Sequence, residues 1–374
     1  MEVRMSIISL PEIKKRIEKF PRKKLIHLPT PLQKMENLSR ELAGPEIFIK
    51  RDDLTGLAFG GNKSRKLEFI IQDALDKKSD VIITWASVQS NWCLQTAAAA
   101  RKFGIKPLLI LFKTYDLPEE KDGNLLLDFI LDAEIQIREA EKGKIVSEEY
   151  VQEIIAEAVN EIREWGYNPY VAPIGGSMVG GSMDKPLGAI SYLNAFAEMM
   201  EQAEGLGVDF NYIVHATGSG GTQAGLAVGA KALSGKIKVL GISVSEQKDV
   251  FQRDVLTIAQ DTTGALDLDL SMDEEDIAVL DEYIQEGYGI VNKEVSETIR
   301  LVAQKEGIFL DPVYTGKAMV GLVDLIKKGY FKKEDKIVFF HTGGTPALFP
   351  NKHHFDRFLH EEIHLHFRIA KDPV

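Results

Sequence analysis

Phe59-Gly60-Gly61-Asn62-Lys63-Ser64-Arg65-Lys66-Leu67-Glu68 decides how the rest of the chain is read. A glycine pair ends a loop and a helix opens at the lysine. From there apolar residues fall at Leu67, Ile70, Ile71, Ala74 and Leu75, a helical stripe. Lys63 therefore sits in a first turn, where unpaired N–H groups and the helix dipole create a positive field. Arg65 and Lys66 add two cations, and positive surroundings lower an ammonium pKa. A lysine that loses its proton near neutral pH can form a Schiff base with an aldehyde cofactor. Two other readings stay open on this stretch alone. Lys63 could be one more solvated lysine at a helix start. Gly56, Gly61, Lys63 and Ser64 also come close to a nucleotide-binding P-loop, but Asn62 puts one residue too many between glycine and lysine.

A length of 374 residues suits one large domain or two ordinary ones. The net charge of −11 argues against nucleic acid as a main partner. One cysteine, Cys93, excludes an internal disulfide and fits a reducing compartment. The apolar run Ile7–Leu10 is too short for a secretion signal, and no segment is long enough to span a membrane. A soluble, cytoplasmic protein is expected.

Working outward, 46–50 reads as a strand entering the glycine loop, and 81–84 as a buried parallel strand. A helix over 92–103 is capped by Ser90 or Asn91 and ended by Gly104. Strands are expected at 108–112, 134–138, 170–172, 212–217, 238–244 and 336–341. Helices are expected over 148–165, 187–204, 292–306 and 316–329, with a further helix opening after Gly221-Thr222. The segment 260–285 is acidic and reads as irregular surface. Pro173, Gly175-Gly176, Gly180-Gly181 and Pro186 mark a domain crossing. Alternating strands and helices predict an α/β fold of open, mostly parallel sheets with helices on both faces.

Chemistry gathers in loops. Thr217-Gly218-Ser219-Gly220-Gly221-Thr222 follows an apolar strand and opens a helix, so its N–H groups and hydroxyls suit a phosphate monoester; a plain glycine-rich turn is the other reading. It is not a dinucleotide fingerprint, because the third glycine is displaced. Ser87-Val88-Gln89-Ser90-Asn91 also joins a strand to a helix. Its N–H groups suit a carboxylate, and Ser90 either caps the helix or takes part in proton transfer or attack. Tyr288 stands between two glycines and Tyr314 just before a helix. His341-Thr342-Gly343-Gly344 ends the last strand, the end where open parallel sheets bind ligands. In the tail, His360-Glu361-Glu362-Ile363-His364 matches a zinc-protease pattern with nothing downstream to complete a site. A charged terminal helix and no metal are expected there.

Together these segments resemble the pyridoxal-phosphate enzymes of the tryptophan-synthase β type (fold type II). The branch is that of D-cysteine desulfhydrases and 1-aminocyclopropane-1-carboxylate deaminases. The resemblance rests on Ile49–Asp53 with Gly60–Lys63, on Gln89-Ser90-Asn91, on Thr217–Gly225, and on Leu310–Lys317 with His341–Gly344. It implies a small domain, 62–186, inserted into a large cofactor-binding domain made of 1–61 and 187–374, and it suggests a homodimer. It also implies roles. Lys63 would hold pyridoxal 5'-phosphate covalently, the 217–222 loop would hold the phosphate, and Asn91 would bond the ring hydroxyl. Thr342 would face the pyridine nitrogen. Ser90 would contact substrate or move protons, with Tyr288 and Tyr314 flanking it. Ser87, Gln89, Trp92 and Thr315 complete the expected substrate side.

Family members usually carry glycine where Trp85 stands and histidine or glutamine where Trp92 stands, which puts bulk beside the substrate loop. The ring-opening deaminases resemble one another in having glutamate after Val-Tyr and leucine before Gly-Gly; Thr315 and Thr342 here follow the desulfhydrase pattern. The implied activity is α,β-elimination from a small amino acid, with D-cysteine the first candidate. Cysteate, chloroalanine, serine and the cyclopropane amino acid are the alternatives.

Overall fold

The computed structural model describes residues 8–114, 121–141, 146, 148–356 and 358. Ten strands fall into two sheets. One sheet holds β1 (Leu32–Lys34), β2 (Glu46–Lys50), β7 (Tyr212–Thr217), β8 (Lys238–Ser243), β9 (Ala278–Leu280) and β10 (Lys336–Phe340), in the order β1-β2-β10-β7-β8-β9. The other holds β3 (Val81–Ser87), β4 (Lys106–Lys113), β5 (Glu134–Glu139) and β6 (Pro169–Val171), in the order β5-β4-β3-β6. Every pairing is parallel except β1 against β2.

The sequence explains the central position of β10. Ile337, Val338, Phe339 and Phe340 are all fully buried, and a continuous apolar run suits a strand covered on both faces. Its register sets Phe340 beside Lys50 of β2 and Phe339 beside Val214 of β7. The loops that leave β2, β7 and β10 therefore open side by side at the carboxyl edge of the sheet, where doubly wound folds place their ligands.

One expectation is corrected. The segment 260–285 is not irregular surface. It holds the end of the helix Lys248–Ala265, buried Met272, Ile277 and Val279, and the edge strand β9. Its acidic residues lie between these apolar anchors and masked the pattern. The sheet also carries a short antiparallel strand, β1, whose three residues are too few for a period-two signal.

The helix Asn62–Asp76 is fixed from both ends of the chain. Gly60 and Gly61 have φ of 74° and 136°, values that L side chains rarely adopt. Gly61 makes an isolated antiparallel bridge with Gly343. A Cβ on Gly343 would lie 2.6 Å from the Gly61 Cα, so the two backbones touch. Three residues into the helix, Arg65 enters a buried ionic network. Its guanidinium donates to both Asp52 carboxylate oxygens (2.9 and 2.8 Å), both Glu198 oxygens (3.1 and 2.9 Å) and Thr30 Oγ1 (2.9 Å). Lys50 Nζ donates to Glu198 at 2.5 Å and Tyr192 Oη to Asp52 at 2.6 Å. This ties the helix to β2, to the loop after it and to the helix Leu187–Leu206.

Candidate functional site

Lys63 occupies the first turn of its helix, as the glycine pair predicts. It keeps part of its accessible surface, yet the protein around it is dense. Burial is the largest influence on its ammonium, Asp311 opposes it more weakly, and the result is a pKa of about 8. Among the described residues no acceptor lies within hydrogen-bond distance of its Nζ. The expected neighbours Arg65 and Lys66 divide. Arg65 turns into the ionic network, while Lys66 turns toward the site.

Lys66 is fully buried and has no carboxylate beside it. Its Nζ donates to the Gly175 carbonyl (2.8 Å) and Ser177 Oγ (3.2 Å), and Ser177 Oγ shares a hydrogen bond with Ser219 Oγ at 2.9 Å. Burial, and then Lys63, pull its pKa well below the ordinary value. The 217–222 loop closes the cradle. Gly220 has φ of 78°, and a Cβ on Gly221 would meet Ser177 Oγ at 2.7 Å. Thr217 Oγ1 is buried without a partner, and Asn62 Nδ2 donates to Thr222 Oγ1 at 3.0 Å. A buried lysine with no carboxylate partner, Lys66, joined through Ser177 and Ser219 to a glycine-rich helix start, fits a phosphate dianion.

Across the cleft, Ser90 caps the helix Asn91–Lys102, accepting from the Trp92 and Cys93 N–H groups at 3.1 Å each. Its lone pairs face the helix, and its hydroxyl also bonds the Cys93 side chain. Asn124 organises the next residue: its Nδ2 donates to Asn91 Oδ1 (2.8 Å) and to the Gln89 carbonyl (2.7 Å). With Oδ1 used, Asn91 presents its Nδ2 beside Gly344, where an added Cβ would meet it at 2.8 Å. Asn91 therefore offers a donor to the cleft. Tyr288 and Tyr314 share a 2.5 Å hydrogen bond between hydroxyls, and Tyr288 lies 3.2 Å from Ser87 Oγ. Burial pushes the Tyr288 phenol up. Tyr314 also lies over Gly218, 3.4 Å from where a Cβ would stand. Thr342 is buried and its carbonyl accepts from Asn62 N–H at 3.0 Å, which fixes the strand end against the lysine helix.

Three residues expected on the substrate side have other employment. Gln89 uses its amide on the start of the helix Gly123–Ile130, donating to Asp122 O (3.0 Å) and accepting from Asn124 N–H (2.8 Å). Trp92 lies in the core, its indole donating to Thr84 Oγ1 at 2.6 Å and packing on Gly176. Its bulk points away from the loop it was expected to crowd. Thr315 is bound to Asp311, whose carboxylate also takes the N–H groups of Val313 and Tyr314.

Sequence reading missed Ser177, Asn124 and the position of Lys66. Lys66 stands three residues after Lys63 on one helix face, a spacing that could have found it. Asn124 carries no local signal; only the fold brings it to Asn91. His360 and His364 lie outside the described residues, and among the described ones no cluster of His, Cys, Asp or Glu could hold a metal.

Known proteins resemble this chain over most of its length. A family model described as pyridoxal-phosphate dependent enzyme matches residues 24–343. A Klebsiella pneumoniae D-cysteine desulfhydrase is 41% identical over 336 residues, covering 89% of this chain and 97% of its own. A Pyrococcus furiosus protein, named provisionally as a 1-aminocyclopropane-1-carboxylate deaminase, is 42% identical over 352 residues, covering 93% and 98%. The crystal structure of an ACC deaminase homologue superposes with a TM-score of 0.81 at 39% identity, covering 93% of this chain and 98% of that one.

Proposed function

The chain belongs to the pyridoxal-phosphate-dependent enzymes, as a lyase of the aminocyclopropane-carboxylate deaminase and D-cysteine desulfhydrase family, and from this we propose that it eliminates a β-substituent from a small amino acid, with D-cysteine the first candidate. One observation carries the reading: Lys63, with a pKa of about 8, stands near Lys66 of the cradle and near Asp311, whose carboxylate takes the Tyr314 N–H.

Bound pyridoxal phosphate supplies an aldehyde for a lysine amine and an electron-withdrawing ring. The protein's residues do the rest. Lys66, Ser177 and the 217–222 loop hold the phosphate. Asn91 Nδ2 would donate to the ring hydroxyl, and Thr342 would face the pyridine nitrogen. The N–H groups and hydroxyls of 87–91 bind the substrate carboxylate, with Ser90 donating its proton. Lys63, largely neutral above pH 8, takes the α-proton. Tyr288, whose proton burial retains, donates toward the departing group, and Tyr314 holds it in place.

Thr342 favours elimination over cyclopropane opening. That substrate has no α-proton, so opening the ring demands a more electron-withdrawing cofactor than a threonine hydroxyl sustains. The division into a small domain, 62–186, and a large one of 1–61 and 187–374 is part of the same proposal. It is supported by the four-stranded sheet formed wholly between residues 81 and 171. A homodimer and a cytoplasmic location are proposed on the family's likeness alone. Pyruvate should appear from D-cysteine, or from chloroalanine, serine or cysteate of either hand. Release of 2-oxobutyrate from aminocyclopropane carboxylate, with no pyruvate from the others, would replace this reading with the ring-opening one.

A further inference from the structure

Among the described residues three lysines are fully buried: Lys50, Lys66 and Lys317. Lys50 has Glu198 as its counter-charge, and Lys66 faces the phosphate cradle. Lys317 has neither an ion pair nor the cradle, and only the more distant carboxylates of Glu286 and Asp311 favour its charge. It lies on the helix Thr315–Lys327, three residues past Tyr314, and no carboxylate is within ion-pair distance of it. Its Nζ donates to two backbone carbonyls of one loop, Ile284 at 2.9 Å and Gly287 at 2.6 Å. Burying an ammonium against neutral acceptors opposes folding unless the geometry it enforces is needed.

The loop it holds is unusual. Gln285 has φ of 60°, uncommon for a residue with a side chain, and Gly287 and Gly289 have φ of 132° and 76°. Gln285 Oε1 is buried with no partner. Tyr288 follows Gly287 directly and reaches Tyr314 and Ser87. Tyr314 and Lys317 leave the same helix start, so one element sets both the tyrosine pair and the anchor of its partner's loop.

We propose that Lys317 is the positioning residue for Tyr288, clamping the 284–289 loop so that the Tyr288 hydroxyl meets Tyr314 and Ser87 on the substrate side of the cleft. The role of that hydroxyl rests on the elimination reading; the clamp itself does not. The Lys317 ammonium is taken up by the Ile284 and Gly287 carbonyls, and it acts through them.

The test uses the cofactor-loaded enzyme with Lys317→Met and, should that variant fail to fold, Lys317→Gln. Hydrogen exchange at amides 284–290 is measured beside kcat and KM for the best pyruvate-forming substrate. Tyr288→Phe and the double variant are measured with them. The clamp predicts faster exchange confined to 284–290, an unchanged cofactor spectrum, and a roughly 10- to 100-fold fall in kcat/KM. The double variant should be no worse than the poorer single one. Unchanged loop exchange in Lys317→Met, or multiplicative losses in the double variant, overturns the proposal. Faster loop exchange with Tyr288→Phe fully active leaves the clamp standing and removes the elimination role of Tyr288. Loss of cofactor from Lys317→Met and Lys317→Gln alike makes the residue a general structural one and also overturns it.

Discussion

Replacing Arg65 with leucine tests how the lysine helix is held. The guanidinium donates to Asp52, Glu198 and Thr30, and its side chain is 2% exposed while that of Asp52 is 0% exposed. Removing one partner of such a pair typically costs about 3–5 kcal/mol, because the other charge stays buried and unpaired. Asp52 keeps bonds from Tyr192 at 2.6 Å and Thr30 at 2.8 Å, and Glu198 keeps Lys50. The loss should therefore fall near the lower figure, about 3 kcal/mol. It should also depend on pH. In the native protein burial pushes the Asp52 carboxyl up, but Arg65, with Lys50 and Tyr192, holds it below its ordinary value. Without Arg65 burial dominates and the folded-state pKa rises above the unfolded one. A carboxyl shifted that way binds more protons when folded, so stability falls as pH rises through the shifted value. The variant's deficit should be largest at pH 8 and smaller at pH 5. Urea unfolding of the cofactor-loaded enzyme, followed by far-ultraviolet circular dichroism at both pH values, measures it. A deficit under about 1 kcal/mol at pH 8, the range of a solvated surface pair, or a deficit that grows toward pH 5, would show the network to be incidental.

Further outcomes follow from other residues. Lys63→Ala, treated with borohydride, should leave no reduced cofactor on the chain; persistent labelling would move the attachment elsewhere. Lys66→Met should weaken cofactor binding at least tenfold, which equilibrium dialysis reads, because it removes the buried cation that faces the 217–222 loop; wild-type occupancy would vacate the cradle. Asp128 is buried with neither carboxylate oxygen paired, and burial raises its pKa to about 8. Its contribution is unfavourable above the unfolded value, costing up to about 1.4 kcal/mol for each pH unit between the unfolded and folded values. Asp128→Asn should thus flatten the fall in stability between pH 5 and 8, and an unchanged slope would refute the shift.

Much of the site could be read from the chain because it sits where local signals are strong. Gly60-Gly61 before a helical stripe located Lys63, and six small residues between a strand and a helix located the 217–222 loop. Ser90 was legible as a cap. What stayed hidden depends on residues that meet only after folding. Asn124 reaches Asn91 from a separate helix, and Ser177 reaches Ser219 from a loop that reads as a domain crossing. Trp92 shows the opposite failure: its place beside the 87–91 loop is visible, but the direction of its indole is not. In a helix that direction depends on which face packs, and here the face toward Thr84 and Gly176 took it. Strand β9 was lost because acidic residues break its apolar anchors.

Strand β10 sits at the middle of its sheet, between β2 from early in the sequence and β7 from beyond its midpoint. A ribosome delivers β10 after every other strand of the described residues. Until then β2 and β7 each wait with a bare edge, and Gly61 has no Gly343 to rest against. The nascent chain therefore holds the lysine and both halves of the phosphate cradle before it can fix them in one frame. Assembly of this sheet is a late event, governed by contacts between distant parts of the chain, and such contacts make folding slow and leave edges open to wrong partners. Fragments that stop short of β10 should be wards of chaperones rather than half-working enzymes.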